Sequence, residues 1–305
     1  MSKNLSAWKI AIREREGNDD YFWDHNMPSF QIIEMPGRYW AADPFLFTHD
    51  GVDYLFYEAF DWYRRRGVLA YSVLRDGKAT KPRVILKCPY HLSYPYIFTY
   101  RKDIYLMPET SGNKTIELYR AVQFPDDWEK ISTLIEHVNA VDSILIEEKC
   151  QRYLLTSEMS NENFLEVENY IFPLEGMVLQ SAERQCVGKG TKGYRNGGAV
   201  FSYRGQRIRV GQDCSGHQYG KGLIFWNVCS VSPYQEVMVR EVFPDDIEFI
   251  GKCGNPRGLH TYNNNERYEV IDLLTTMEIP YYIVIIGFIH RCYKYVVRKI
   301  KRWWR

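Results

Sequence analysis

The stretch that decides the fold pairs Asp43-Pro-Phe-Leu-Phe47 with Tyr54-Leu-Phe-Tyr-Glu58, two short apolar runs of strand type joined by a turn. The same unit recurs along the chain, and each second run ends on a polar residue. The first four copies begin and end at residues 43 and 58, 94 and 109, 142 and 157, and 197 and 212, so the offset is 15 each time. A fifth, shorter copy runs from His260 to Asp272.

These units recur at a period of about 50 residues, with two or more strands in each, which is typical of the blades of a β-propeller. The sequence therefore predicts an all-β, five-bladed β-propeller over residues 1–275. The segment from Ser6 to Arg13 alternates as a strand does, and we expect it to close the ring by joining the last blade.

Residues 276–305 differ in composition from the rest of the chain. An apolar run from Ile279 to Ile289 is followed by basic residues interleaved with aromatic and β-branched ones, ending in Trp303 and Trp304. This pattern predicts a short, basic amphipathic helix on the surface of an anionic membrane. Two alternatives are a helix packed on the propeller and a basic tail for a protein partner.

Composition and charge narrow the possible functions. The formal net charge of +1 argues against a general nucleic-acid-binding protein. The seven cysteines show neither a CxxC pair nor zinc-site spacing, so no zinc site is predicted and no metal-ligating residue is assigned. Met1 to Arg15 contains no apolar signal core. We therefore expect a cytoplasmic protein, peripheral on the inner face of the cell membrane.

Equivalent positions of the blades meet around one axis, so the polar residues at the run ends are predicted to crowd one mouth of the central channel. Neighbouring polar motifs add further candidates. The candidate site residues are Asp43, Glu58, His91, Tyr94, Glu109, Asp142, Arg195, Gln212, Asp213 and His260.

Several carboxylates at one mouth suggest a particular chemistry. Repulsion and burial push the pKa values of neighbouring carboxyls apart, which yields the acid and base that glycosyl chemistry needs. Tyr94 could offer a flat ring to a sugar, and Arg195, in a glycine-rich segment, could pair with a phosphate or carboxylate. The plainer alternative is that these polar groups cap strand ends and satisfy backbone groups.

Several strings identify a related family, among them ADPFLF (42–47), PYHLSYPYIF (89–98), IYLMPETS (104–111) and GQDCSGHQYG (211–220). They resemble the N-terminal domain of plant glucosamine inositolphosphorylceramide transferases, which also occurs in bacterial proteins of surface-polysaccharide loci. That domain is similar to the five-bladed propeller of arabinanase- and xylosidase-type glycoside hydrolases. The resemblance implies that Asp43 is a general base, that Asp142 orients it, and that Glu109 is the best-placed acid.

The residues and the resemblance together predict a glycosyltransferase that builds a lipid-linked cell-surface glycan. The expected partners are a nucleotide-sugar donor and a lipid-linked or glycan acceptor, with residues 279–305 on an anionic membrane; no further cofactor is predicted. Asp43 would deprotonate the acceptor hydroxyl, and Arg195, His91 or His260 would stabilise the leaving diphosphate. Two alternatives are a glycoside hydrolase of the five-bladed type and a non-catalytic sugar-binding propeller.

Overall fold

The computed structural model describes residues 2–17, 20–180 and 183–303 of the chain. It is a five-bladed β-propeller with one C-terminal helix, as the repeat predicts. Neighbouring strands of each blade pair antiparallel, with one parallel exception between β2 and β22 of the fifth blade.

The strands, in chain order, are these. The fifth blade begins with β1 (Ser2–Glu14) and β2 (Ser29–Ile32). The first blade contains β3 (Tyr39–His49), β4 (Val52–Asp61), β5 (Arg66–Arg75), β6 (Lys78–Ala79) and β7 (Arg83–Leu86). The second contains β8 (Ser93–Tyr100), β9 (Asp103–Thr110), β10 (Thr115–Gln123) and β11 (Asp127–Glu136). The third contains β12 (Ala140–Glu148), β13 (Gln151–Met159), β14 (Val167–Glu175), β15 (Val178–Leu179) and β16 (Gln185–Gly190). The fourth contains β17 (Lys192–Asn196), β18 (Phe201–Tyr203), β19 (Gln206–Asp213), β20 (Gly222–Val231) and β21 (Tyr234–Val242). The fifth is completed by β22 (Glu248–Ile250), β23 (Gly258–Asn264) and β24 (Tyr268–Pro280).

Strand β1 joins the two ends of the propeller. It pairs with β24 along its whole length, from Ser2 opposite Pro280 to Glu14 opposite Tyr268. Because of this pairing β24 continues beyond residue 275 to Pro280. The fifth blade is thus built from both ends of the described chain, and a long ladder of backbone hydrogen bonds holds it together.

A β-bulge interrupts the innermost strand of every blade at the same level. The register shifts between Ala42 and Phe45, Ser93 and Tyr96, Val141 and Ile144, Lys192 and Asn196, and Leu259 and Tyr262. In four blades the two unpaired residues are 43–44, 94–95, 142–143 and 260–261. A bulge kinks its strand and redirects side chains. The repeated polar positions therefore leave the regular in-and-out alternation and turn toward the channel.

The core lies between the blades. One large apolar cluster joins the first, second and third blades through fully buried residues that include Phe56, Leu106 and Leu155. A second cluster joins the fourth and fifth blades around Phe30, Phe225 and Tyr262. Each fully buried side chain of this size contributes about 1.5–3 kcal/mol. These contacts hold the blades in the arrangement that brings the bulges together.

Helix α1 spans Tyr281–Trp303 and follows β24 directly. Its first turns lie against the propeller, where Ile279 and Ile283 are buried together with Ala7 and Trp62. Among the described residues, no helix is long and apolar enough to cross a bilayer.

Candidate active site

The starts of the innermost strands and the ends of the second strands meet at one mouth of the channel. Asp43 of the first blade contacts Tyr94 of the second and His260 of the fifth. Asp142 of the third blade contacts Arg195 of the fourth, which in turn approaches Glu109 of the second. Tyr219 joins the two sets, because its ring contacts both the Arg195 guanidinium and the His260 ring. Residues more than 200 positions apart in sequence therefore form one connected group.

Asp43 is held from three sides and is 5% exposed. The backbone N–H of Tyr94 donates to its Oδ2 across 3.0 Å, and the hydroxyl of Thr261 donates to its Oδ1 across 3.1 Å. His260 Nε2 lies 3.3 Å from the same Oδ1. The carboxylate is therefore held in one orientation by groups from the second and fifth blades.

His260 lies between two carboxylates. Its Nδ1 is 2.7 Å from Asp272 Oδ1, on the opposite side of the ring from Asp43. Asp272 also accepts the backbone N–H of Thr261 at 2.9 Å and that of Asp43 at 2.8 Å. Trp8 of β1 stacks on the imidazole, with ring centroids 3.8 Å apart. Although burial lowers it, the carboxylates of Asp272 and Asp43 raise the pKa of His260 to about 9.

Asp142 and Arg195 form the second half of the site. Arg195 Nε donates to Asp142 Oδ2 across 2.5 Å, and its Nη2 lies 3.7 Å from Glu109 Oε2. Gln212 Nε2 donates to the same Asp142 oxygen across 3.0 Å. The guanidinium also lies over the ring of Tyr219, 5.0 Å from its centroid. Arg195 thus neutralises two carboxylates instead of presenting a free charge to a ligand.

Glu58 and His91 lie at the rim of the group. His91 Nε2 is 3.2 Å from Glu58 Oε1, and the backbone N–H of Gly67 donates to His91 Nδ1 across 3.1 Å. The His91 side chain is 43% exposed, whereas Glu58 is buried. His91 is therefore the candidate residue most open to an incoming ligand.

Two candidates serve the group differently from the sequence expectation. Tyr94 is fully buried and its ring packs against Phe45, so no face of the ring is open to a sugar; its backbone N–H contacts Asp43 instead. Asp213 accepts the backbone N–H of Ser215 and lies 3.6 Å from Lys221 Nζ. That carboxylate stabilises a turn, and among the described residues it makes no hydrogen bond or ion pair with Asp43 or Asp142.

Sequence reasoning missed three residues of this group. Trp8 lies in the strand interpreted as closing the ring, Thr261 lies next to the candidate His260, and Tyr219 lies in the string 211–220, which contributes to the family resemblance. The one signal for Trp8 is an aromatic residue within the ring-closing strand. Its register against β24, which places Trp8 opposite Leu274, is set by pairing and not by composition.

Burial tunes the two aspartates for proton transfer. Burial raises the pKa of Asp43 to about 7, even though His260 favours the charged form. Burial likewise raises the pKa of Asp142 to about 7, opposed by Arg195. A carboxyl with a pKa near 7 can both accept and release a proton at neutral pH, which is the requirement for general acid–base catalysis.

A cation is a further ligand that this mouth could hold. Asp43, His260 and Asp272 each offer one ligand atom, and these atoms lie within 4.8 Å of one another. A proton on His260 competes with a metal for the ring nitrogen. With its raised pKa, a charged imidazolium between two carboxylates balances much of their charge without a cation.

Comparison with known proteins identifies the family. Residues 29–255 match the family model described as "Glucosamine inositolphosphorylceramide transferase 1, N-terminal". The chain belongs to this family. It is 34% identical over 249 residues to glucosamine inositolphosphorylceramide transferase 1 of Arabidopsis thaliana, covering 77% of this chain and 32% of the plant protein. It is 31% identical over 208 residues to the protein of that name from Oryza sativa subsp. indica, covering 65% and 28%. The chain thus spans about a third of the length of these transferases.

Solved structures share the fold. An α-L-arabinofuranosidase from Podospora anserina aligns with a TM-score of 0.60 at 12% identity, covering 81% of this chain and 96% of that one. A thermostable family-43 glycoside hydrolase aligns with a TM-score of 0.57 at 10% identity, covering 80% and 91%. At these identities the likeness shows the fold alone.

The family membership corrects one expectation. We expected a cytoplasmic protein, peripheral on the inner face of the cell membrane, because Met1 to Arg15 lacks an apolar core. That prediction is wrong, because the transferases that the chain matches are proteins of the plant Golgi. The apolar content of one short segment was too weak a signal to decide a compartment.

Proposed function

We propose that the propeller takes part in glycosyl transfer, moving a sugar from a nucleotide-sugar donor to a lipid-linked acceptor of a cell-surface glycan. The observation that carries the proposal is the buried Asp43 carboxyl at the channel mouth, because burial raises its pKa to about 7. The family to which the chain belongs is named for a transferase, which agrees with this role. Asp142 and Glu109 lie in the same connected group through Arg195.

In this proposal Asp43 is the general base. It removes the proton of the acceptor hydroxyl as that oxygen attacks the anomeric carbon of the donor, and the sugar–diphosphate bond breaks. The Tyr94 N–H and the Thr261 hydroxyl keep the carboxylate in place. His260 stabilises the ionised form of Asp43 between transfers, and Trp8 holds the imidazole plane.

The remaining candidates divide between binding and positioning. Glu109 and Glu58 lie toward the rim and would accept hydrogen bonds from sugar hydroxyls. Arg195 and His260 are each enclosed by two carboxylates, so the leaving diphosphate is better served by His91, which is open to solvent. Arg195 and Gln212 act as positioning residues that orient Asp142.

The test is transfer by Asp43→Asn. Asparagine keeps the size of the side chain and tolerates the left-handed backbone at this position, but it cannot accept the proton. We expect transfer to fall by about 10²–10⁴-fold, the usual contribution of a general base. Asp50→Asn is the matched control, because Asp50 is an exposed residue of a turn and has the same left-handed backbone. Full transfer by a folded Asp43→Asn variant would refute the role of this residue.

A second candidate function is sugar binding in service of a separate transferase domain. The length of the match favours this alternative, because the matched region covers 32% of the Arabidopsis relative. Under this alternative neither wild type nor Asp43→Asn transfers sugar. A nucleotide sugar or glycan nevertheless raises the melting temperature of both proteins, since a ligand of the native state stabilises it by mass action. Release of free reducing sugar, abolished by Glu109→Gln, would instead indicate hydrolysis.

A further inference from the structure

We propose that the mouth of the channel that holds Asp43 is also the surface that faces an anionic bilayer. Helix α1 and the loop between β4 and β5 would lie in the lipid headgroups, so that a lipid-linked acceptor reaches Asp43 from the membrane. This inference rests on the proposed function only for the identity of the acceptor.

The helix leaves the propeller at the end that holds the site. Strand β24 passes Asp272 and continues eight residues further to Pro280, paired with the start of β1, before the helix begins at Tyr281. Two adjacent residues of β1 link the helix to the chemistry. Ala7 is buried in the cluster that contains Ile283 of the helix, and Trp8 stacks on His260. The buried cluster under the start of the helix and the ring that covers His260 therefore come from neighbouring residues of one strand.

One side of the helix presents an apolar stripe, defined here as Tyr282, Ile285, Ile286, Ile289 and Tyr293. These positions follow the spacing i, i+3, i+4, i+7 and i+11, which places them along one face. Their exposed fractions range from 40% to 67%, whereas Ile283, on another face, is 2% exposed. The described part of the propeller leaves this stripe open.

A basic loop borders the same mouth. The mouth loop, defined here as residues 62–65, joins the ends of β4 and β5 and contributes Arg64 and Arg65, both exposed. Trp62 of this loop and Ile283 of the helix belong to the same buried cluster. Asp61, at the end of β4, pairs with Arg38 and lies 3.6 Å from Arg64. The mouth loop itself carries two positive charges and no acidic residue.

Charge complementarity identifies the occupant as an anionic lipid surface. An apolar stripe next to basic residues suits the boundary between headgroups and acyl chains. The sequence continues this pattern, with Arg291, Lys294, Arg298, Lys299, Lys301, Arg302 and Arg305 following the apolar run. Since no described helix is long and apolar enough to cross a bilayer, the expected mode is a helix lying in the surface.

The test is sedimentation of the full chain with phosphatidylcholine vesicles that contain or lack phosphatidylserine. Arg64→Gln/Arg65→Gln removes two charges from the mouth loop. Arg101→Gln/Lys102→Gln is the matched control, because it removes two charges from an exposed turn at the opposite end of the propeller. Ile285→Ser/Ile289→Ser breaks the apolar stripe. Circular dichroism checks that each variant is folded.

We expect wild type to bind the vesicles that contain phosphatidylserine. The loop variant should bind them about fivefold more weakly for each charge removed, since a basic residue near such a surface contributes about 1 kcal/mol. The stripe variant should bind still more weakly than the loop variant, and the control pair should bind as wild type does. Added salt should shrink the difference between wild type and the loop variant.

Three results would overturn the proposal. One is an equal loss of vesicle binding in the loop variant and in the control pair, which would mean that the charges at the mouth have no special role in binding. Another is unchanged binding by the stripe variant. The third is self-association of the chain, seen by light scattering, without binding to either kind of vesicle. Asp43→Asn should bind vesicles as wild type does, so a failure of the transfer mechanism is distinguishable from a failure of the membrane surface.

Discussion

Asp43, Tyr94 and Asp142 share one unusual backbone conformation, with φ values of 51°, 46° and 50° at equivalent positions of three blades. A residue other than glycine in this left-handed region costs on the order of 1–3 kcal/mol, and such residues cluster at functional sites. Pro44 and Pro95 follow two of these residues inside the bulges, where a missing N–H breaks no ladder hydrogen bond. The strain is retained because the bulge turns these positions toward one another.

A prediction at the residue scale concerns His260 and pH. Its pKa is about 9 in the folded protein and 6.5 in the unfolded chain, so the folded state binds more protons between these values. The stability that this group contributes is present in full below pH 6.5 and is lost as pH rises through 9. The expected loss is up to about 3 kcal/mol.

Urea unfolding of wild type and His260→Gln at pH 6, 7.5 and 9 measures this contribution. The difference in free energy of unfolding between the two proteins should shrink steadily over that range. A difference that is constant with pH would mean that the imidazole does not change its charge on folding in this window.

A second prediction concerns the Asp142–Arg195 pair, which is buried on both sides. Asp142→Asn leaves Arg195 with the longer contact to Glu109 as its pairing with a carboxylate, and Arg195→Gln leaves Asp142 without its main partner. Each change should destabilise the protein by about 3–5 kcal/mol, the usual cost of an uncompensated buried charge. The double variant should lose clearly less than the two single losses together, because neither charge is then left alone.

Denaturant titration of the four proteins in this cycle measures the coupling. The exposed pair Arg120–Glu129 is the control, and its coupling should be much smaller because water screens it. Strict additivity for Asp142 and Arg195 would show that the 2.5 Å contact contributes no specific stability.

At the scale of the elements, β1 does two things at once. It closes the ring through its ladder with β24, and it carries Trp8 to the site. Within that ladder Ile10 lies opposite Asp272, the residue that holds the backbone N–H groups of Asp43 and Thr261. Closing the propeller and ordering its catalytic group are therefore coupled through one pair of strands.

This coupling predicts the effect of Ile10→Ala. Ile10 is fully buried, so the cavity left behind should cost about 2–5 kcal/mol and lower the melting temperature. Because the loosened strand faces Asp272, sugar transfer should fall as well. Ile131→Ala on the outer strand β11 is the control, since Ile131 is 41% exposed and should change stability by less than about 0.5 kcal/mol. Equal losses of stability and of sugar transfer in Ile10→Ala and Ile131→Ala would contradict the role given to β1.

At the scale of the whole molecule, the two ends of the propeller differ. The bulges, the carboxyls of Asp43, Asp142 and Asp272, the start of helix α1 and the mouth loop all lie at one end. Toward the other end, a cleft of about 760 Å³ is lined by residues of the second, third and fourth blades, among them Phe98, Leu145, Arg152 and Arg207. There Arg207 is already paired with Glu148. The chemistry and the proposed membrane contact thus share one end.

The sequence alone determined the number of blades and the level at which polar residues meet. Asp43, Asp142 and His260 could be placed together because a repeat with a constant offset sets equivalent residues at equal heights around an axis. The bulges follow the same register, which is why the predicted positions coincide with the unpaired residues 43, 94, 142 and 260.

Only the tertiary structure decided what each polar residue does at that mouth. The sequence did not reveal that Arg195 is paired with two carboxylates, that Tyr94 contributes its backbone N–H and not its ring, or that Trp8 stacks on His260. Periodicity fixes the height of a residue along its strand. The partners of that residue come from strands that are distant in sequence. Their positions around the axis are set only when the ring closes, and so is the burial that shifts each pKa.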